Sequence, residues 1–451
     1  MRTDPRYMTC RGPAVVKAAA DQAARHASTT STTKVVGMGS CGLDYLAAVA
    51  RFPQPDDKIR TERLETQGGG NCANALTAAS RLGLEAHLVS QIGDDGIGEQ
   101  IIAELEGDGV QTAHVLRAEG SPSPFTYIIV DREGSTRTCI HTPGAPYTPD
   151  QLSPERIPQI LGDSTQLVYF DGRLTEAALL LARAARAAGI PVLVEAERLR
   201  PNLDALLGEA DYVCMSTHFP KDWTGEACLG DALVSSLQRL PRVRWLVATL
   251  GKRGSVLIQR CHPSECDSES KGVVLEGLVA QLFGELGGGA GAPGSATAPG
   301  GAVVRASRVL AAGQAHRLLL QRGEAHDPNI ATAAASAARN AATDNADSAN
   351  ASSYRISNDM QMSSFDEQPA GDTGVYGRVT VASAADLPQD AVVDTTGAGD
   401  AFLGSMLYAL CHDMPAERAL RLAAVVAACN CTGLGARGGL PWRDAVSAEL
   451  L

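Results

Sequence analysis

The sequence predicts an α/β fold: a mostly parallel sheet covered by helices on both faces. Two observations predict it. Short strand-like runs alternate with helical segments long enough to cross back over a sheet, as in repeated βαβ units. Only a terminal tail and one long biased stretch interrupt that alternation. Without them roughly 310 residues remain, a sensible size for one α/β domain.

Lys34-Val-Val-Gly-Met-Gly-Ser40 opens the pattern as a short strand entering a glycine turn. Gly69 to Leu82 reads as a glycine loop followed by a helix, Ala86 to Ile92 as a strand and Asp95 to Gly107 as a helix. Phe125 to Val130 and Thr136 to His141 flank Asp131-Arg-Glu-Gly134, a hairpin-type turn. Leu167 to Asp171 reads as a buried strand and Thr175 to Ala188 as an Ala/Leu helix. Pro191 to Glu195 is a further strand, followed by a helix from about Asn202. Tyr212 to Met215 and Trp245 to Thr249 complete the strands before the break.

Two regions fall outside the pattern. Residues 1–33 are rich in Ala, Arg, Ser and Thr, which suits a disordered tail or an organelle transit peptide; Asp4 and Asp21 are atypical of the latter. A cytoplasmic and a plastid location both stay open. Residues 265–372 are rich in Gly, Ala, Ser, Asn and Pro. Large apolar residues to offset the entropy of ordering are expected to be lacking there, so this stretch reads as a disordered surface insertion. Val375-Tyr-Gly-Arg-Val-Thr-Val381 is expected to pair with Ser255 to Arg260, so that the insertion fills a hairpin tip. The folded domain is thus 34–264 with 373–451.

Composition narrows the functions. Of 451 residues 44 % are apolar but only 4 % aromatic, so the core is built mainly from Ala, Leu and Val. A formal charge of −12 argues against a nucleic-acid surface, which needs a basic stripe, yet leaves room for a local phosphate pocket. The 11 cysteines are odd in number and scattered, as in a reduced intracellular protein. Cys429 and Cys431 lack two further spaced ligands for zinc. No apolar run reaches the roughly 18 residues of a membrane span.

The run Asp394-Thr-Thr-Gly-Ala-Gly-Asp400 carries the chemistry. Gly397-Ala-Gly399 makes a tight turn, and Ala401 to Leu410 is apolar enough for a buried helix. A glycine turn at a helix start aims backbone N–H groups at one spot, an anion hole for a phosphate in transfer. Asp400 lies in the first helical turn, where the helix dipole favours its ionised form. An ionised carboxylate there can accept the proton of an attacking hydroxyl. A simple N-cap in a glycine turn has the same local sequence.

Asp394-Thr-Thr-Gly-Ala-Gly-Asp-Ala-Phe402 resembles the C-terminal signature of the PfkB, or ribokinase-like, carbohydrate kinases. Their N-terminal signature has its counterpart in Gly68-Gly-Gly-Asn-Cys-Ala-Asn74 with Ala79-Ser-Arg-Leu-Gly83. The resemblance covers about 34–264 and 373–445. It implies a ribokinase-like three-layer α/β/α domain with a small β-sheet lid from about 43–66 and 120–141. It also implies ATP and Mg²⁺, possible activation by K⁺ near Asp394, a sugar acceptor, and a homodimer formed through the lid. Asp400 then becomes the catalytic base. Asp44, Gly69, Gly70, Asn71 and Asn74 become sugar-binding residues, and Thr249, Gly251 and Gly254 the nucleotide-side loop. Phe170-Asp171-Gly-Arg173 and Val194-Glu-Ala-Glu-Arg198 resemble the ketohexokinase branch, which adds Asp171 and Arg173 to the substrate site and makes Asp56 an acid that reaches a partner subunit.

The sequence departs from the family at Ser216-Thr-His-Phe219, where many members carry the N-x-x-E motif that organises magnesium, and at Ala424, where some carry an Asn near adenine. Gly37-Met-Gly39-Ser-Cys-Gly42 fits a dinucleotide fingerprint, but a strand-like segment follows it and no helix. A ketose is the first expected acceptor, ribose the second and a nucleoside the third. A non-catalytic fructokinase-like scaffold is the rival of another class.

Overall fold

The computed structural model describes residues 33–131, 133–134, 136–266, 272–286, 294–312, 314–321 and 374–451. Its strands in chain order are β1 (Lys34–Met38), β2 (Gly42–Val49), β3 (Arg63–Gly69), β4 (Glu85–Gly93), β5 (Gln111–Ala118), β6 (Phe125–Asp131), β7 (Thr136–Thr142), β8 (Thr165–Phe170), β9 (Val192–Ala196), β10 (Tyr212–Met215), β11 (Trp245–Thr249), β12 (Ser255–Arg260), β13 (Val273–Val274), β14 (Ser295–Thr297), β15 (Val303–Arg305), β16 (Val309–Ala311), β17 (His316–Leu319) and β18 (Val375–Ala382). The longer helices are α1 (Asn71–Arg81), α2 (Gly96–Gly107), α3 (Thr175–Ala187), α4 (Leu229–Arg239), α5 (Leu275–Leu286), α6 (Ala398–Cys411) and α7 (Ala416–Asn430).

β5, β4, β1, β8, β9, β10 and β11 lie side by side in that order, every neighbouring pair parallel. Such a sheet must bury both faces. Successive residues of one strand therefore enter opposite cores. Leu167 and Tyr169 pack with α1, α2, α6 and α7, and Val168 and Phe170 with α3, α4 and α5. This is the three-layer α/β/α architecture expected. Each fully buried Leu or Val contributes about 1.5–3 kcal/mol. The Ala content of α6 and α7 lets the two helices approach closely on one face.

Beyond β11 the sheet turns antiparallel. β12 pairs with β18 from Ser255↔Ala382 to Arg260↔Gly377, as the sequence implied. A separate four-stranded sheet, ordered β3-β2-β6-β7, stands off the main one. It occupies the lid segments. The cross-strand rows Asp44↔Thr126↔His141 and Tyr45↔Tyr127↔Ile140 fall on opposite faces of it.

The expected disordered insertion is corrected in its described part. α5 presents Leu275, Val279, Leu282 and Leu286 at helical spacing and buries them. β16 and β17 pair with β18, and β13 with β17, which extends the main sheet. β14 and β15 form a small hairpin whose buried Ala296 and Val304 belong to the same core as α7. Averaging composition over a hundred-odd residues dilutes one amphipathic stripe, and small residues suffice where the partner helix is itself Ala-rich. Residues 322–373 and the tail to residue 32 lie outside the described residues. Among the described residues no helix is long and apolar enough to cross a membrane.

Candidate active site

The chain runs outward from β1 through β4 to β5, then returns to β8 and continues the other way to β11. A crevice opens at such a switch point, at the carboxyl ends of the strands. There Ser40 follows β1, Arg173 follows β8, Glu197 follows β9, Ser216 follows β10, and Thr249 ends β11. With α1, α6 and the inner face of the lid they line one cleft of about 590 Å³.

Gly397, Ala398, Gly399 and Asp400 form one wall of this cleft. Gly397 takes φ 73° as the residue preceding α6, a left-handed conformation that suits glycine. In the first turn of α6 the Ala398 N–H donates to the Thr395 carbonyl (3.3 Å), while helix geometry leaves the N–H groups of Gly399 and Asp400 without an intrahelical acceptor beside the cleft. Nothing lies within 4 Å of where a β-carbon on Gly399 would sit, so a ligand can approach the backbone there. Asp394 ties the loop down. One carboxylate oxygen accepts from the Thr396 N–H (3.0 Å) and hydroxyl (2.8 Å), the other from the Gly435 N–H (2.9 Å). The buried Asn430 amide donates to the Thr396 carbonyl (2.8 Å).

Facing it is the loop into α1. Asp44, Gly70, Asn71 and Asn74 line the cleft, while Gly69 lies under Asp44. Asn74 donates from Nδ2 to Asp400 Oδ2 at 2.8 Å, across 326 residues of sequence. The two signatures therefore meet in one hydrogen bond. Arg437 lies beneath the loop, only 5 % exposed. It donates from Nε to Asn74 Oδ1 (2.9 Å) and from Nη2 to the Gly69 carbonyl (3.3 Å). Gln67 joins it, accepting from the Arg437 N–H and donating to the Leu434 carbonyl.

The lid adds Thr126, Ile128, Arg137, Cys139 and His141 to the cleft. Arg137 reaches over to the anion loop, donating to the Thr395 hydroxyl (3.0 Å) and standing 3.9 Å from Asp394. Arg173 bridges Asn71 (3.1 Å) and Glu197 (2.9 Å). Asp171 departs from its expected place in the substrate site. It is buried below the cleft, accepting from the Ser40 N–H and hydroxyl and from the Arg173 N–H, so it braces two loops at the switch point. Of the nucleotide-side residues, Thr249 lines the cleft. Gly251 (φ 56°) and Gly254 (φ 103°) shape the turn after it, and a β-carbon at Gly254 would run into the Ala382 carbonyl. Asp56 has φ 67° in the exposed segment between β2 and β3.

Burial outweighs the helix dipole at Asp400. Its carboxyl is pushed up to about 7 by desolvation, with Glu197 and Asp171 adding to the rise. The Asn74 hydrogen bond and the Arg173 charge oppose it. Asp44 is pushed up to about 6 by burial, against the pull of Arg437 and the Thr126 hydroxyl. Glu195, partly buried in the cleft wall and accepting from the Tyr169 hydroxyl (2.9 Å), is driven well above the carboxylate range by desolvation and by Asp400. A carboxyl held near neutrality can take up or release a proton at physiological pH. Sequence reading missed Arg137, Gln67 and Arg437. An arginine amid the glycines of Gly433-Leu-Gly-Ala-Arg-Gly-Gly439 was the available signal for the last.

Comparison with known proteins bears on the fold and the family. An ATP-dependent ribose-1-phosphate kinase of Halopiger xanaduensis is 26 % identical over 179 residues, which cover 40 % of this chain and 57 % of that protein. The chain spans about half or less of the length of such curated relatives. The structure of Arabidopsis thaliana ribokinase complexed with ribose and ATP has a TM-score of 0.57 at 18 % identity, covering 93 % of this chain and 99 % of that one. The structure of ribokinase from Giardia lamblia has a TM-score of 0.56 at 16 % identity, covering 93 % and 99 %. These likenesses establish the ribokinase fold. The profile described as pfkB family carbohydrate kinase matches residues 32–274 and 370–443, most of the chain apart from the insertion and the tail. With both glycine loops, the switch-point cleft and this match in hand, the chain belongs to the pfkB family of carbohydrate kinases.

Proposed function

We propose that this protein transfers the terminal phosphoryl group of ATP to a sugar hydroxyl, with Asp400 as the base. One observation carries the reading: Asp400 stands behind an open helix N-terminus and is hydrogen-bonded to Asn74 of the facing loop within one cleft. The acceptor hydroxyl sits between Asp44, Asn71 and Asn74, whose carboxylate and amides suit a polyol. Asp400 takes its proton. The N–H groups of Gly399 and Asp400 and the Arg137 guanidinium hold the charge of the moving group. The lid, with Arg137 bridging to Thr395, excludes water from the transfer.

Magnesium would enter with the nucleotide. Among the described residues no three His, Cys, Asp or Glu side chains gather as a metal cage. Magnesium bound through phosphates, water and one or two carboxylates needs none, and Glu197, just after β9, is a cleft carboxylate suited to it. The hydroxyls of Ser216 and Thr217, at the altered motif, donate to the Glu197 and Thr249 carbonyls. A K⁺ ion at Asp394 would share a carboxylate that already accepts three hydrogen bonds; rates in K⁺ and choline buffers test it.

Ribose and a ketohexose are the two acceptors to compare. The ribose and ribose-1-phosphate kinases among the relatives support ribose, and the resemblance of Asp171, Arg173, Asn71 and Asn74 to the ketohexokinase branch supports a ketose. A nucleoside is the alternative within the same fold. A non-catalytic scaffold is the alternative outside it, and the intact Asp400 and glycine loops disfavour that reading. We extend the proposal to a homodimer through the outer lid face, where Leu64, Tyr127 and Ile140 stand exposed. The ten described cysteines are all free, in keeping with a reducing cytoplasm or plastid. Purified protein with ATP and a panel of ketoses, aldoses and nucleosides should release ADP with one class. Failure with every acceptor, together with no thermal shift by nucleotide, would favour the scaffold.

A further inference from the structure

We infer that Arg437 is a positioning residue for the base, acting through Asn74, so that it controls the protonation state of Asp400. The inference rests on the reading of Asp400 as base, but its physical content stands apart from that role. A guanidinium carries only donors, whereas a side-chain amide has one accepting and one donating end. Arg437 Nε donates to Asn74 at 2.9 Å, so the amide oxygen must face Arg437. The NH₂ end must then face Asp400, where it lies 2.8 Å from Oδ2.

Consider the amide reversed. Its oxygen would face Asp400 and accept a hydrogen bond from a protonated carboxyl. Burial already favours that protonated form. The reversed amide would hold the base in its inactive state. Arg437 forbids the reversal, because NH₂ against guanidinium sets donor against donor. The lock is rigid. Arg437 is held by the Gly69 carbonyl and Gln67 and buried to 5 % exposure. A β-carbon on Gly68 would overlap its Nη1, so the loop leaves the guanidinium no room to swing. Among the described residues Nη1 itself is buried without a hydrogen-bond partner. A merely structural filler would be better served by an apolar side chain, which has no donor to orphan.

The groups that face Asp400 besides Asn74 are Glu197 and Asp171, which favour its protonated form, Arg173, which opposes it, and Glu195, Cys72 and Tyr169, whose own proton affinities Asp400 raises. None of them orients the amide. The test compares the wild type with Arg437→Met and Arg437→Lys. In the Met variant the acid limb of kcat/KM should move up by about one pH unit, from loss of a hydrogen bond to the charged form. At pH 7 kcat should fall about fivefold while KM changes less, with recovery near pH 9. The Arg437→Lys variant keeps a cationic donor without the fixed Nε and should move the limb by about half as much. It also serves as the reporter should the Met variant not fold. The Asp400 carboxyl is titrated independently by ¹³C NMR in the substrate-free protein, its resonance assigned through Asp400→Asn. An unmoved Asp400 midpoint in the folded variants overturns the role of Arg437, whatever the assay gives. Full activity of Asp400→Asn would instead overturn the base assignment, and the NMR titration would still decide the case of Arg437.

Discussion

A β-carbon at Gly68 or Gly69 would run into the Arg437 guanidinium or the Asp44 carboxylate, whereas around Gly399 there is nothing within 4 Å for one to meet. The two glycine loops that frame the cleft share a composition but not a reason for it. In the loop before α1, glycine makes room for the protein's own charged groups, packed directly under the backbone. In the loop before α6, Gly397 meets a left-handed backbone and packs against Ala436, while Gly399 keeps backbone open to something the chain does not supply. At Gly68 and Gly69 glycine is thus a packing requirement, and at Gly399 it is not.

Four experiments break or sharpen that contrast. The largest effect is expected at the base between the loops. Asp400→Asn should lose about 10²–10⁴ in kcat with bound sugar retained, measured as sugar-dependent ADP release. Next come the glycines themselves. Gly399→Ala should lower kcat/KM for ATP by about 10–100-fold with an unchanged melting temperature, because the added methyl meets only ligand. Gly68→Ala should instead lower stability by about 1–3 kcal/mol through overpacking against Arg437, read as a shift in the denaturant midpoint. If the two exchange behaviour, the distinction between the loops fails.

The third concerns pH. Asp400 binds its proton up to about 7 in the folded state, well above the ordinary value of 3.8. Between roughly pH 4 and 7 the folded state therefore holds more protons than the unfolded one, and stability falls as pH rises through that window. Asp400→Asn should be more stable than the wild type at pH 8, by an amount on the order of 1–3 kcal/mol, and show no gain at pH 4. Denaturant melts at the two pH values check it. The smallest effect is at the lid. Arg137→Ala should reduce kcat about three- to tenfold at unchanged stability, since its Thr395 contact is partly exposed.

Much of this was legible from residues. The alternation of strands and helices pointed to a parallel sheet because period and apolar runs report burial directly. The strand limits Tyr212–Met215 and Trp245–Thr249 came out as read, and so did the β12–β18 pairing. The two signatures located Asp400, Asn71 and Asn74. What escaped were groups whose roles depend on contacts far away in sequence. Arg437 acts 363 residues from Asn74, and nothing local marks the partner. Asp171 has a plausible substrate position in sequence, but the register of β1 against β8 turns it onto Ser40. The direction of the Asp400 shift was also missed, because the helix dipole is visible in sequence and desolvation is not. The insertion misled for a statistical reason, one apolar stripe being hidden in a biased average.

The bonds between Asn74, Asp400 and Arg437 also set a timetable. At synthesis rates of about 5–20 residues per second, the 363 residues between Asn74 and Arg437 take roughly 20–70 s to emerge. Through that interval the loop into α1 exists without the arginine that fills the space under Gly68, and for most of it without Asp400 as well. The last strand to join the main sheet, β18, comes late as well, so the nascent sheet carries a free β12 edge until the insertion has passed. Assembly of this site is therefore a late, all-at-once event in the life of the chain, and variants that slow it should show in folding yield before they show in the activity of the molecules that succeed.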